Sequence, residues 1–213
     1  MIGVPLPGVN EADRLVRARA RAPSQRPPSP PRAPETMAKS LEFEISVYPD
    51  PVLRKPAEAI ESFDEDLADT IAAMFVRMRE SQGVGLAAPQ VGLKQRILVL
   101  NATGEAEDDL ALVNPEILKL SGPKCTMDEG CLSFPGIYGE VSRPERARVR
   151  AQTPEGETFE ADYEGFVARI IQHEMDHLEG VLLIDRMSPA DKVRNKAAFE
   201  ELVERYKAAR QGA

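Results

Sequence analysis

Both histidines of this 213-residue chain, His173 and His177, lie four residues apart, and Glu174 follows the first. On a helix that spacing puts two imidazoles on one face, about one turn apart, where they can hold one metal ion. The same rise leaves Glu174 beside the ion, placed to move protons on a bound water. The segment is therefore constrained to be helical, and its surroundings agree. From about Glu164 to Leu178, Phe166, Ile170, His173 and His177 recur at i, i+4, i+7 and i+11, so the ligands extend a buried stripe. Gly180 supplies the stop.

Other elements follow from periodicity. Leu41–Val47 alternates like a half-buried strand and ends at Pro49 and Pro51. Leu67, Ile71, Met74, Phe75 and Met78 mark an amphipathic helix over Asp64–Ser81. Gly83 and Gly85 then form a loop, and Arg96–Leu100 reads as an apolar strand. Short strands are expected at Leu112–Asn114, Ile117–Leu120, Ala147–Gln152 and Thr158–Tyr163, with Pro154-Glu155-Gly156 as a turn between the last two. Ser188-Pro189 opens a last helix reaching about Arg210. The expected class is α+β: short, mostly antiparallel strands around a central metal-binding helix, with a further C-terminal helix.

Charge divides the chain. Residues 1–36 hold six Arg, no Lys, three acidic residues and eight of the eighteen prolines. Such a segment cannot bury enough apolar surface to order itself. It reads as a disordered extension, either a tail, an organelle transit peptide, or a mis-assigned start before Met37, the last being favoured. Residues 37–213, net −11 from 21 basic and 32 acidic side chains, are long enough for one catalytic domain with a real core. Their acidity argues against DNA binding and a membrane-surface role, and no stretch is long enough to span a bilayer. Two cysteines six apart, Cys125 and Cys131, make no disulfide framework and suit a reducing compartment. That means the cytoplasm, or an organelle stroma or matrix if the extension is a transit peptide.

Two imidazoles need a third protein ligand, with one position left open. Peptidases of the extended His-Glu-x-x-His type take it from a downstream histidine, which is absent here, and Glu179 is too close to turn back. Upstream, Cys131 stands in Asp128-Glu129-Gly130-Cys131-Leu132-Ser133. A thiolate with two imidazoles suits Fe(II), Zn or a similar ion. A closed structural site would instead need Cys125 or a carboxylate as a fourth ligand.

Three segments carry a family resemblance: Gly83-Val84-Gly85-Leu86-Ala87-Ala88-Pro89-Gln90, Glu129-Gly130-Cys131-Leu132-Ser133 and Gln172-His173-Glu174-Met175-Asp176-His177-Leu178. In type and order they resemble the signature motifs of peptide deformylases, as Tyr48–Arg54 resembles that family's N-terminal region. The resemblance implies a hydrolase that removes the formyl group from the initiator N-formylmethionine of nascent chains, releasing formate. It implies one divalent ion on Cys131, His173 and His177, Fe(II) before Zn. Glu174 would act as base and then acid, with the Leu132 N–H and Gln90 amide as oxyanion donors. Gly83, Val84 and Gly85 would lie along the peptide, while Ile170, Val84, Leu132 and Tyr138 wall the methionine pocket. Glu129 and Arg143 are expected to pair behind Cys131, and Asp176, off the ligand face, to brace a neighbouring segment. The C-terminal segment from Ala190, with six basic and four acidic residues, is the candidate contact with the ribosome, or else an ordinary solvated helix.

Overall fold

The computed structural model describes residues 41–211. The expected disordered extension, residues 1–36, lies outside them. Five strands form one antiparallel sheet in chain order: β1 Gly85–Ala87, β2 Ile97–Leu100, β3 Leu110–Cys131, β4 Phe134–Gln152 and β5 Thr158–Glu164. Helix α1, Glu65–Glu80, starts where the Asp64 carboxylate accepts from the Leu67 N–H. Helix α2, Gly165–Leu178, follows β5 without a loop because Gly165, at φ 63°, turns the chain where a side chain would be strained. The C-terminal helices are α3 Leu183–Arg186, α4 Pro189–Arg194 and α5 Lys196–Gln211.

Alternation along β2 explains the layering. Leu98 and Leu100 face α2, joining Leu112, Val149, Ile170 and Ile171 in one core. Ile97 and Val99 face the opposite way, against Leu67, Ile71, Met74, Phe75 and Met78 of α1. A strand covered on both faces reads as an unbroken apolar run, as Ile-Leu-Val-Leu does. Each such buried side chain stabilises the fold by roughly 1.5–3 kcal/mol. A third core gathers Phe134, Ile137 and Val141 of β4 with Leu182, Met187, Phe199 and Leu202. There Phe134 stacks on Tyr48 at 5.0 Å and meets Phe199 edge-on at 6.0 Å.

The α+β class holds, but two strands are long. The segments expected as separate pieces near Leu112 and Ile117 belong to the 22-residue β3, and Ala147–Gln152 ends the 19-residue β4. Their pairing shifts between Val113 and Glu116 and between Ser121 and Lys124, and Pro115, Gly122 and Pro123 sit in those irregularities. Proline has no N–H for a ladder, so it is tolerated there and hides the strand's continuity. Leu41–Val47 is not a strand. It docks by isolated bonds such as Ser46 N–H to the Gln90 carbonyl. The last helix is two helices, because Asn195 caps α4 and its amide donates to the Tyr138 carbonyl at 2.9 Å.

Candidate active site

The β3–β4 ribbon ends in a two-residue turn, Leu132-Ser133, with Cys131 paired to Phe134. This tip brings Cys131 against α2. The Cys131 Sγ lies 3.2 Å from His177 Nε2, and the ligand atoms of Cys131, His173 and His177 all fall within 4.8 Å of one another. Tetrahedral S and N ligands of one Zn-sized ion would be about 3.6 Å apart, so the residues fit a single ion. All three are buried. The buried His177 Nδ1 and Glu174 Oε2 have no hydrogen-bond partner among the described residues. Such orphans are rare in a finished core and mark a place for chemistry. Cys125 is half-buried and outside the cluster, and Glu179 turns away to bond Arg96 at 2.7 Å.

Electrostatics favour the thiolate at Cys131 and put a proton on His173 that a bound ion would displace. Burial alone would push the Cys131 thiol up, yet His177 and His173 beside it hold it well below the usual thiol range. Burial likewise opposes a charge on His173, but Cys131 and Glu129 raise its imidazole to about 10. Burial raises the Glu174 carboxyl, opposed by the two histidines. A carboxylate that holds its proton more tightly than usual is a better base for water.

Glu129 organises the rear of the site. It is fully buried, and its carboxylate accepts from Arg143 Nε at 2.7 Å and Nη2 at 2.9 Å, as the sequence led us to expect. It also lies 3.0 Å from His173 Nδ1, which turns that ring's Nε2 toward the cluster. Burial disfavours its charge, but bonds from His173 and Arg143 hold its carboxyl far below the usual carboxylate range. Asp176 accepts from Arg143 at 2.9 Å and from Arg186, bracing as anticipated. Sequence reasoning missed Arg169, which donates to Glu129 at 2.6 Å. Its spacing, one turn before His173, was the available signal. It also missed Ser133, whose buried hydroxyl is 3.4 Å from the Gln90 amide nitrogen.

Gln90 Oε1 accepts from the Ala87 N–H at 2.8 Å, which aims its amide nitrogen at Cys131 Sγ, 3.6 Å away. Gly85 lies on the terminal strand of the sheet, and its environment differs from a plain turn. A Cβ there would sit 2.5 Å from Glu174 Oε1 and 2.7 Å from Ile170 Cγ2. The missing side chain is therefore demanded first by Glu174 and Ile170. At Gly83 a Cβ would meet Leu132 Cδ1 at 2.9 Å. Ile170 is fully buried, while Val84 and Leu132 are half-buried. Tyr138 is 39% exposed, opposite Gly130 in the ribbon.

An α+β fold with a His-Glu-x-x-His helix, and a cysteine delivered by a hairpin tip, defines a hydrolase whose candidate third ligand comes from upstream. A profile of the polypeptide deformylase family matches residues 42–193. Peptide deformylase of Thermotoga maritima is 47% identical over 151 residues, 71% of this chain and 90% of that protein. Peptide deformylase 1B, chloroplastic/mitochondrial, of Arabidopsis thaliana is 45% identical over 177 residues, covering 79% of this chain and 64% of that one. A crystal structure of peptide deformylase from Plasmodium falciparum superposes with a TM-score of 0.76 at 41% identity, covering 78% of this chain and 98% of that chain. The chain belongs to the polypeptide deformylase family. It is a hydrolase of that kind.

Proposed function

We infer that this protein removes the formyl group from the N-formylmethionine of nascent polypeptides, with Glu174 as proton carrier and a divalent ion on Cys131, His173 and His177. The observation that carries the reading is Glu174 Oε2, without a hydrogen-bond partner among the described residues and buried beside a cluster of three ligand-competent atoms. When bound, the ion supplies Lewis acidity, lowering the pKa of water toward neutrality and polarising a carbonyl. One sulfur and two nitrogens suit Fe(II) or Zn, and Fe(II) is the reading we favour.

The chain's own groups account for the rest. Glu174 takes a proton from the attacking water and returns one to the departing amine. The Gln90 amide, already aimed at Cys131, and the Leu132 N–H at the ribbon tip meet the developing oxyanion. One such donor is typically worth about 3 kcal/mol in other hydrolases. The peptide lies along Gly83-Val84-Gly85, next to the terminal strand β1, as an added strand. Its methionine side chain enters between Ile170, Val84 and Leu132, with Tyr138 on the outer side.

The working compartment is a reducing one, the cytoplasm or an organelle interior. Among the described residues no helix is long and apolar enough to cross a membrane. Transient contact with the ribosome through residues from 190 onward remains part of the reading. Much of that segment's basic charge is already met locally, by pairs such as Lys196–Glu200, Arg205–Glu201 and Lys207–Glu204.

The test is anaerobic purification with metal analysis, then formate release from formyl-Met peptides. Metal-loaded wild type should release formate. Cys131→Ala should lose the metal while Cys125→Ala keeps it. No formate from loaded wild type would sink the reading.

A further inference from the structure

Arg169 stands one helical turn before His173 and is 4% exposed, yet none of the chemistry above uses it. A buried guanidinium is costly unless its donors are met. Here Nη1 donates to Glu129 Oε1 at 2.6 Å and to the Val141 carbonyl at 3.1 Å, and Nη2 donates to the Cys125 carbonyl at 2.5 Å. Arg143 alone already engages both oxygens of Glu129, so charge neutralisation does not explain a second cation.

The two guanidiniums differ in what else they hold. Arg143 leads outward, to Asp176 and from there to the half-exposed Arg186. Arg169 leads sideways, to one backbone carbonyl on β3 and one on β4, the ribbon whose tip carries Cys131. With Arg143 alone, Glu129 and Arg143, both ribbon residues, would reach α2 only at His173 and Asp176 in its C-terminal half. With Arg169 added, a cation on α2 itself grips the carboxylate and one backbone carbonyl of each ribbon strand, and the second carboxylate oxygen stays aimed at His173 Nδ1.

We propose that Arg169 is a positioning residue for the metal site. It locks Glu129 so that the His173 ring donates from Nδ1 and offers Nε2, and it sets the spacing between the ribbon bearing Cys131 and the helix bearing both histidines. The inference rests on the Cys131, His173 and His177 reading given above. A lysine would keep the charge without the planar fork that reaches three oxygens in two directions.

The experiment uses the full-length protein loaded anaerobically with Co(II), comparing wild type, Arg169→Ala and Arg169→Lys. Three quantities are read: the rate of Co(II) loss to a chelator, the thiolate-to-cobalt absorption band, and thermal stability. Both variants should fold and take up one equivalent, then lose Co(II) about tenfold to a hundredfold faster with an altered band. Lysine should resemble alanine more than wild type. Wild-type loss rate and band in a folded variant, with only a lowered Tm, would overturn the proposal. So would failure of both variants to fold, which would make Arg169 a folding residue. Wild type that binds no Co(II), or binds it identically after Cys131→Ser, would instead overturn the reading of the site itself, before Arg169 is touched.

Discussion

Toward the ribbon, helix α2 buries Arg169, His173 Nδ1 and Asp176 against Glu129 and Arg143, and each is bonded to a partner of opposite charge or polarity. Toward β1, the same helix buries Glu174, and its Oε2, like His177 Nδ1 on the ligand face beside Cys131, has no partner among the described residues. Depth of burial is similar, for Glu129 is 0% exposed and Glu174 2%. What separates the two sides is satisfaction. A completed polar network fixes geometry, whereas an incomplete one holds free energy in reserve for a ligand or a transition state. Perturbed acidity occurs on both sides, so it does not by itself distinguish scaffold from reaction centre.

The sharpest break between the sides is expected from Glu174→Gln. Formate release should fall by roughly 10²- to 10⁴-fold, the range for loss of a general base, while the melting temperature holds or rises because an unpaired buried carboxyl is removed. A marked loss of stability with little loss of rate would erase the distinction. The opposite pattern is expected from Arg143→Ala, which leaves Glu129 to Arg169 and His173 and leaves Asp176 to Arg186 alone. Removing one partner so that a buried charge is uncompensated costs about 3–5 kcal/mol, so the loss here should approach but not exceed that, measured by denaturant unfolding of the metal-free protein.

Gly85→Ala tests the contact between the two catalytic-side walls. A Cβ 2.5 Å from Glu174 Oε1 and 2.7 Å from Ile170 Cγ2 forces both to shift, at a cost of about 1–3 kcal/mol. The loss should appear in kcat as well as in stability, since the displaced group is the proposed base. Acid gives a smaller, graded comparison. The Glu129 carboxyl is held far below its unfolded value of 4.5, so its stabilisation is complete above that pH and is lost as pH falls below it. Between wild type and Glu129→Gln, only wild type should carry that acid-dependent component in unfolding curves taken below pH 4.5. The smallest effect is expected at the surface, where Arg205→Ala breaks the exposed Arg205–Glu201 pair and should change stability by about 0.5 kcal/mol or less.

Legibility followed how local the governing physics is. The α1 stripe from Leu67 to Met78 and the Ser188 cap could be read directly, because helix period and capping are properties of neighbouring residues. The Glu129–Arg143 pair was also anticipated, as was the role of Asp176. The long ribbon was not, since Pro115, Gly122 and Pro123 break its pattern and only cross-strand pairing restores it. Leu41–Val47 shows the converse, a strand-like alternation that meets no ladder. Arg169 went unnoticed because a cation on a helix defaults to solvent. Its burial depends on Glu129, forty residues away in sequence.

The turn at Leu132-Ser133 has a consequence for how this protein matures. Cys131 and the histidines are brought together only when the ribbon has closed and α2 has docked across it, a separation of more than forty residues. Contacts of that range form late and slowly. A newly made chain therefore has little to offer a metal until most of its topology is in place. Acquisition of the ion should report completed folding, and starvation for metal should leave a folded, inactive pool that can be charged later.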